Sequence, residues 1–332
     1  MDLYSNNQVY IIAEIGINHE GDVDLCQKMI IAAAECGVDA VKLQTINADA
    51  NYVTGSESYS IFKGSELTQD ETSKMFKLAH DCSLDIFTTA GDLETINWVD
   101  KLNPSHWKIS SGLLTHTPII SHLSSLGRPL LVSTGMANID DIELAIETIK
   151  SNQNNDITLL QCTSLYPTPN EEINLSSINW LKDKYGFPVG FSDHSIGDDA
   201  VFLSIGVGAS IIEKHFSFDV TRTGFDHKIS LDKAGLKKMV DRVRLAEDIM
   251  GTGEKVVTNA ISSTRDKYLR YIVATKPIKC GDFFSNNNIG VKRTGKGISG
   301  IEPKLFQDII GRTSISNIEV DHLIQVTDLE NK

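Results

Sequence analysis

Eight short apolar segments, rich in β-branched residues, recur along the first two thirds of the chain. Their apolar character is continuous rather than alternating, which is typical of strands that are buried on both faces. Each segment runs into a polar residue at its C-terminal end. The segments cover residues 10–16, 39–45, 85–90, 106–111, 129–135, 157–163, 188–194 and 211–216.

Most gaps between these segments show helical periodicity. Residues 22–36 place apolar side chains three and four positions apart and end before Gly37, a common helix stop. Further helices are predicted over 138–151 and 231–250. Strands that alternate with helices pair in parallel, so the pattern predicts an α/β fold, a (β/α)8 TIM barrel. A doubly wound open sheet is the alternative, but no glycine-rich phosphate motif follows the first strand.

The residue pattern changes in the last part of the chain. From about Tyr268 it consists of short β-rich segments and turns, too few for two more barrel units. We therefore predict a barrel domain over 1–255, a linker over 256–269 and a small β-rich domain over 270–332. Within the tail, KRTGKG (292–297) is a basic loop that could deliver an arginine to an anionic or polyhydroxylated ligand.

The composition of the chain argues against several classes of protein, including nucleic-acid-binding, membrane-spanning and disulfide-rich ones. The net charge of −13 over 332 residues disfavours a nucleic-acid or anionic-membrane partner held by bulk charge. No apolar run reaches the roughly 18 residues of a membrane span, and the first ten residues do not resemble a signal peptide. The five cysteines are scattered and form no CxxC pair, which argues against a zinc knuckle or a disulfide framework. We expect a cytoplasmic protein.

Polar and charged side chains gather at the C-terminal ends of the predicted strands. Barrel enzymes build their active sites at this end, so we expect these side chains to meet around one rim. Turn formation explains a single Ser or Thr, but it does not explain two lysines, two histidines and a glutamate. The residues are Glu14, Lys42, Gln44, Thr88, Thr89, Lys108, Ser111, Ser133, Thr163, Ser164, Ser192, Asp193, His194, Glu213 and His215.

Two kinds of site follow from these residue types. His194 and His215 end neighbouring strands, about 4.8 Å apart, so both imidazoles could bind one divalent cation; simple packing is the alternative. Lys42 and Lys108, with Ser111 and Ser192, form a candidate anion-binding set. Either lysine could instead form a Schiff base with a carbonyl substrate, as in class I aldolases.

Two loops add further candidates beyond the strand ends. Tyr166 stands in a proline-stiffened loop after the sixth strand, where it can present a phenol or simply stiffen a turn. Asp226 lies just past the eighth strand, where it would reach over the rim.

Taken together and in order, these segments resemble the N-acetylneuraminate (sialic acid) synthase family, which includes legionaminate and pseudaminate synthases. The C-terminal segments 270–274, KRTGKGI (292–298) and IGR (310–312) look like that family's antifreeze-like (SAF) domain. The matching barrel motifs are IAEIGINHEG (12–21), VKLQT (41–45), WKISSG (107–112), STGM (133–136), CTSLYPTP (162–169), FSDHS (191–195), EKHF (213–216) and GFDHKISL (224–231).

The resemblance implies a barrel with an SAF domain, paired as a domain-swapped homodimer. Such enzymes condense phosphoenolpyruvate with an N-acylated amino-hexose, releasing phosphate and forming a nine-carbon 2-keto acid. It also implies that His194 and His215 hold Mn²⁺ or Mg²⁺. The matched phosphoenolpyruvate residues are Lys42, Thr89, Lys108, Ser111, Ser164 and Ser192, and the matched sugar residues are Glu14, Gln44, Tyr166, Asp226 and the partner-reaching Arg293.

Glu14, Lys42, Lys108, His194 and His215 are therefore the predicted catalytic residues. The attacking atom would be C3 of phosphoenolpyruvate and the electrophile the sugar's aldehyde carbon. Glu14 is the carboxylate expected to handle a proton or to orient the water that adds at C2.

The chain departs from the family pattern at three places. Leu113 stands where the family usually has a glutamate, Thr88–Gly91 reads TTAG, and Ser164 replaces an asparagine. The loss of a carboxylate makes that subsite apolar, so we expect a 6-deoxy or otherwise less polar amino-sugar as acceptor. Two alternatives stay open: an octulosonate- or heptulosonate-phosphate type of synthase, for which Arg222 is almost the only further cation, and an inactive binding barrel.

Overall fold

A computed structural model describes residues 8–295 and 298–330, apart from the side chain of Asp266. Residues 1–7 of the polar N-terminal stretch, and Lys296 and Gly297 of the basic loop, lie outside the described residues. The chain divides into two compact units after Gly251, four residues before the predicted end of the barrel domain.

The first unit is a closed barrel of eight parallel strands in sequential order. All eight predicted strands are present, and the prediction of a (β/α)8 barrel is confirmed. β1 closes the ring by pairing with both β2 and β8. The strands are β1 (Tyr10–Gly16), β2 (Ala40–Gln44), β3 (Asp85–Thr89), β4 (Trp107–Ile109), β5 (Leu130–Ser133), β6 (Ile157–Cys162), β7 (Val189–Asp193) and β8 (Ile211–His215).

Helices connect the strands, and the three predicted helices begin one or two residues later than predicted. The reason is that Asp22, Asn138 and Asp232 cap helices with their side chains instead of joining them. The helices are α1 (Val23–Cys36), α2 (Ala48–Asn51), α3 (Glu57–Ser65), α4 (Gln69–Asp81), α5 (Leu93–Asp100), α6 (Thr117–Ser125), α7 (Ile139–Ser151), α8 (Ser177–Tyr185), α9 (Asp199–Gly206) and α10 (Lys233–Met250).

Alternation along the strands produces two apolar layers. Side chains such as Ile11, Ala13 and Ile15 pack outward in the core between strands and helices. Ile12 points to the opposite side and belongs to a smaller cluster inside the ring, with Ala40, Phe87, Leu131, Leu160 and Ile211. Because side chains two residues apart share a face, Glu14 continues the inward face of Ile12 toward the C-terminal mouth.

The second unit has its own apolar core and a two-stranded antiparallel sheet. The sheet joins β9 (Arg270–Ala274) to β10 (Ile289–Arg293), and isolated bridges tie in further extended segments. α11 (Asn259–Tyr268) lies in the segment that the sequence indicated as a connector, and a short α12 (Phe306–Ile309) follows. Within the described residues, no helix combines the length and the apolar character that crossing a membrane demands.

Candidate active site

Strand register brings the polar strand ends together at the C-terminal mouth of the barrel. Glu14 lies beside Lys42 on one side and His215 on the other, and Ser192 lies beside Glu213. These side chains line a cavity of about 440 Å³. Of the predicted site residues, the cavity collects Glu14, Lys42, Gln44, Thr89, Lys108, Ser111, Ser164, Tyr166, Ser192, His194 and His215.

Lys42 lies between two carboxylates at the floor of the cavity. Its Nζ is 2.8 Å from Glu14 Oε1 and 3.7 Å from Glu213 Oε2, and the side chain is almost fully buried. Burial alone lowers the pKa of a lysine, but the two glutamates outweigh it, so the pKa of Lys42 is raised. Lys42 is therefore a fixed ammonium cation.

Glu213 links the two lysines of the site. Its Oε1 is 3.7 Å from Lys108 Nζ and accepts a hydrogen bond of 2.8 Å from Ser192 Oγ. Burial raises the pKa of this carboxyl, but Lys108 and Lys42 outweigh burial, so the pKa is lowered and Glu213 is ionised. The sequence placed Glu213 at the rim without a role; its position two residues before His215 is the signal that it shares the inward face.

Glu14 has the opposite ionisation behaviour, although it also contacts a lysine. Burial, opposed by Lys42 and reinforced by Glu213, raises the pKa of Glu14 to about 7. Its Oε1 accepts a hydrogen bond of 3.1 Å from Gln44, whereas its buried Oε2 has no hydrogen-bond partner among the described residues. A carboxyl with this pKa exchanges its proton near neutral pH, as a general acid or base must.

Lys108 differs from Lys42 because it is held mainly by neutral groups. Its Nζ donates a hydrogen bond of 2.6 Å to Ser133 Oγ, and burial lowers its pKa in spite of Glu213. In the same cavity, the buried hydroxyls of Thr89 and Ser164 have no hydrogen-bond partner among the described residues. Buried polar groups are normally paired, so free hydroxyls in a cavity that also holds two lysines indicate the place of an anionic ligand.

The two histidines meet across the end of β7 and β8. Their ring centroids are 5.4 Å apart, and burial lowers the pKa of both imidazoles, most strongly that of His215. His194 Nδ1 donates to the carbonyl oxygen of Thr163 at 2.9 Å, which leaves the lone pair on Nε2. Both rings are therefore neutral, as metal ligands must be.

These donors fit a divalent cation that takes part of its coordination from other sources. Asp226 Oδ2 lies 3.6 Å from His215 Nδ1, and that nitrogen is buried with no hydrogen-bond partner. Over residues 8–295 and 298–330, however, no three His, Cys, Asp or Glu side chains form a metal-binding group. Two imidazoles without a third protein ligand suit an open site that substrate oxygens complete.

One wall of the cavity is apolar, and most of it was not predicted. Ile46, Tyr52, Phe62, Leu113 and Met136 form this wall, in which the rings of Tyr52 and Phe62 stack at 4.8 Å. Leu113 was singled out from the sequence, whereas the others come from loops and from α3. Nothing in local periodicity assigns such side chains to the mouth of the barrel.

The two other predicted sugar residues belong to different units, and Asp226, in the barrel unit, is not part of the cavity lining. Asp226 is on the loop after β8, where its backbone N–H donates to Asn18 Oδ1 at 3.1 Å and its carboxylate lies close to His215. Arg293 belongs to β10 of the C-terminal unit, where its exposed guanidinium lies 5.0 Å from the ring centroid of Tyr268.

Comparison with known proteins gives consistent matches. A model of the NeuB family matches residues 29–255. An uncharacterized protein of Methanocaldococcus jannaschii is 38% identical, covering 96% of this chain and 94% of its own length. N,N'-diacetyllegionaminic acid synthase of Legionella pneumophila is 33% identical, over 95% of this chain and 92% of its own. A crystal structure of N-acetylneuraminic acid (sialic acid) synthetase from Leptospira borgpetersenii, in complex with citrate, is 32% identical with a TM-score of 0.75, covering 78% of this chain and 90% of that one.

Proposed function

The chain belongs to the NeuB family, and from this we propose that it is a nonulosonic acid synthase that condenses phosphoenolpyruvate with an N-acylated amino-hexose. The family resemblance inferred from the motifs is thereby confirmed. The observation that best supports the reaction is the cavity itself, in which two buried lysines and unpaired hydroxyls lie beside two neutral imidazoles. An anionic enol ester and a carbonyl compound need these two surroundings side by side.

We propose that phosphoenolpyruvate binds on the lysine side of the cavity. Lys42 and Lys108 would neutralise its phosphate and carboxylate, and hydroxyl groups would donate hydrogen bonds to the same oxygens. Lys42 and Lys108 lie close to Glu14 and Glu213, so their ammonium groups are held in position for the enol ester. The candidate hydroxyl donors are Thr89, Ser111 and Ser164, together with Ser192, whose hydroxyl would have to turn from Glu213 to the ligand.

The acceptor sugar would bind at the histidine side. Mn²⁺ or Mg²⁺ held by His194 and His215 would polarise the aldehyde oxygen of the open-chain sugar. Tyr166 covers this place, since its ring centroid lies 4.2 Å from that of His194. Gln44 and Asp226 are the polar residues that would orient the sugar hydroxyls, and together these groups hold the aldehyde carbon facing C3 of phosphoenolpyruvate.

Glu14 is the residue we assign to proton transfer. After the C–C bond forms, water adds to the cationic C2 and phosphate leaves from the resulting tetrahedral carbon. A carboxyl with a pKa of about 7 accepts the proton of that water more readily than an ordinary glutamate does. The neighbouring ammonium of Lys42 stabilises the ionised form, so the proton can leave again between turnovers.

The structure weighs against two of the alternatives. A Schiff base needs a neutral amine, whereas the pKa of Lys42 is raised by its two carboxylate neighbours. A sugar with a distal phosphate needs a free cation near the rim, whereas Arg222 Nη2 already lies 2.7 Å from Glu20 Oε2. Lys108, whose pKa is lowered, is the lysine for which an imine stays open.

The test of the function is a phosphate-release assay with phosphoenolpyruvate, Mn²⁺ and a panel of N-acylated amino-hexoses. We expect phosphate to appear only when both substrates are present, together with a nine-carbon 2-keto acid detected by mass. Product formed when pyruvate replaces phosphoenolpyruvate, with no phosphate released, would indicate an aldolase or lyase instead. Absence of phosphate with every acceptor would favour the inactive binding barrel.

The apolar wall leads us to propose a 6-deoxy acceptor, of the 2,4-diacetamido-2,4,6-trideoxyhexose class. Leu113 and Met136 offer no hydrogen bond to a 6-hydroxyl, and a pocket of this kind discriminates by about 10- to 200-fold for each methyl-sized change. We expect kcat/KM to be at least about tenfold higher for such a sugar than for N-acetylmannosamine. Leu113→Glu should reduce or reverse that ratio, and a wild-type preference for N-acetylmannosamine would reject the proposal.

Gly135 supplies a second prediction, because two serines that line the cavity leave no room for a side chain there. A Cβ at this position would lie 2.6 Å from Ser164 Oγ, 2.8 Å from Cys162 Sγ and 2.9 Å from Ser111 Oγ. Gly135→Ala should therefore displace both serines and raise KM for phosphoenolpyruvate about tenfold, the effect of losing about one hydrogen bond to a charged group. Initial rates at varied phosphoenolpyruvate measure this. Gly206→Ala, where a Cβ meets no atom within 4 Å, is the matched control and should leave KM unchanged.

We also propose that the C-terminal unit is the SAF domain and that two chains pair so that Arg293 reaches the partner's sugar site. The residue's exposure in β10 supports this role, because the guanidinium is available to a ligand outside its own unit. Light scattering should give the mass of a dimer. A monomer that is fully active would overturn the pairing.

A further inference from the structure

A buried ion pair joins β7 to β8 on the outer face of the barrel wall. The inward-facing site residues of the same two strands lie on the other face of this wall. Register places Ser192 beside Glu213 and then Asp193 beside Lys214, the last pair of the β7–β8 ladder. Lys214 Nζ lies 2.7 Å from Asp193 Oδ2, and both side chains are almost completely buried. Because side chains alternate along a strand, the pair lies behind the wall that carries the two histidines.

The same two side chains also hold the backbone that follows His194. Asp193 Oδ1 accepts a hydrogen bond of 2.8 Å from the backbone N–H of Ser195, and Lys214 Nζ donates to the carbonyl oxygen of Ser195. The peptide group before Ser195 is thus attached to Asp193, and the one after it to Lys214, which immediately precedes His215. His194 itself lies one residue beyond the end of β7.

The other contacts of His194 lead to a different strand. Its Nδ1 bonds to the carbonyl of Thr163, and its own carbonyl accepts from the backbone N–H of Thr168, both in the loop after β6. These bonds orient the ring toward the loop after β6 for as long as the backbone of His194 stays in place. His194 follows the last paired residue of β7, so no strand pairing sets its distance from His215. That distance depends instead on the contacts that attach the chain after β7 to β8.

We propose that Asp193 and Lys214 are positioning residues that fix His194 relative to His215. The inference rests on the proposed function, in which the two imidazoles hold one cation. A buried ion pair is a poor way to gain stability, because desolvation of both ions offsets their attraction and an apolar pair of similar volume often does as well. Three directed contacts, two of them to the backbone of Ser195, do, however, set a geometry that apolar packing leaves free.

The experiment compares D193N/K214Q, which removes both charges, with the wild-type protein by calorimetric titration with MnCl₂ alone. We expect Mn²⁺ affinity to fall about 10- to 100-fold, as is typical when the partners of metal ligands are changed. The matched control is D100N/R128Q, which removes a pair with an Nε–Oδ1 distance of 2.6 Å near the start of β5, at the other end of the barrel. The control should lose stability without losing Mn²⁺ affinity.

A second measurement needs no metal. Nitrogen-15 spectra of histidine-labelled, metal-free protein report which ring nitrogen carries the proton. We expect one tautomer of His194 in the wild type, with the proton on Nδ1, and a mixture in D193N/K214Q as the ring moves away from Thr163. If D193N/K214Q does not fold, D193L/K214M replaces it, because an apolar pair keeps the volume and removes the directed bonds.

The outcomes separate the two proposals. If the wild type binds no Mn²⁺, the metal role of the histidines fails, and the tautomer spectra alone decide whether the ion pair positions His194. If Mn²⁺ affinity and the His194 tautomer are both unchanged in a folded double variant, the ion pair is a structural contact only and the inference is overturned.

Discussion

Lys42→Met should lower kcat/KM for phosphoenolpyruvate by about 100- to 1,000-fold, the range observed when a preorganised charge-stabilising group is removed. The side chain of Lys42 is held in its protonated form, because two neighbouring carboxylates raise its pKa. Without it, Glu14 and Glu213 would face the incoming enol ester with Lys108 as the one remaining cation at this end of the described cavity. Rates at saturating acceptor measure the loss.

The same substitution should destabilise the fold by about 3–5 kcal/mol, because it leaves buried carboxylates without their partner. The loss should grow with pH. Glu14 has a folded-state pKa of about 7, above its unfolded value, so its contribution to stability is full below the unfolded pKa and is lost as pH rises. Since Lys42 lowers that pKa, Lys42→Met raises it further and extends the loss above pH 7.

Urea unfolding at pH 5.5 and pH 8.5 checks this sign. Lys77→Met is the control, since Lys77 is an exposed lysine that pairs with Asp81 on the surface of α4. It should change neither the rate nor the pH dependence. A Lys42→Met protein that keeps more than a tenth of the wild-type kcat/KM would show that the anion binds elsewhere.

The features that the sequence predicted correctly are those determined by local interactions. Strands buried on both faces must be apolar throughout, so all eight could be recognised, and their polar ends had to meet once the ring was closed. The helix starts could be recognised to within two residues, and the small errors arise because Asp22 and Asn138 cap their helices by accepting hydrogen bonds from backbone groups a few residues away.

The features that were missed depend on distant parts of the chain. Tyr52 and Phe62 reach the cavity through a loop and a short helix whose docking no periodicity encodes. α11 was not predicted because its described side chains are all exposed, which leaves no apolar stripe for a pattern to show. The role of Glu213 appears only when the register sets it between Lys42 and Lys108.

The second large loss of activity is expected when metal binding by His194 and His215 is removed, because these two imidazoles are the nitrogen ligands proposed for the metal. We expect a chelator to abolish phosphate release and added Mn²⁺ to restore it. His194→Ala or His215→Ala should each lower kcat by at least about 100-fold, because loss of a group that stabilises developing charge costs this much. Both residues are buried and uncharged, so the folded state should tolerate the change better than it tolerates loss of Lys42.

Metal titration of each variant separates binding from chemistry. The site offers two imidazoles and no third protein ligand among the described side chains, so loss of one imidazole leaves a single protein ligand. Either single substitution should therefore remove measurable Mn²⁺ binding by the metal-free protein. His80→Ala, at an exposed position near the end of α4, should bind Mn²⁺ and turn over like the wild type. If His194→Ala and His215→Ala both keep wild-type rates in the presence of chelator, the carbonyl is activated without metal, and the hydrogen bonds of Tyr166, Gln44 and Lys42 are then the groups that must do it.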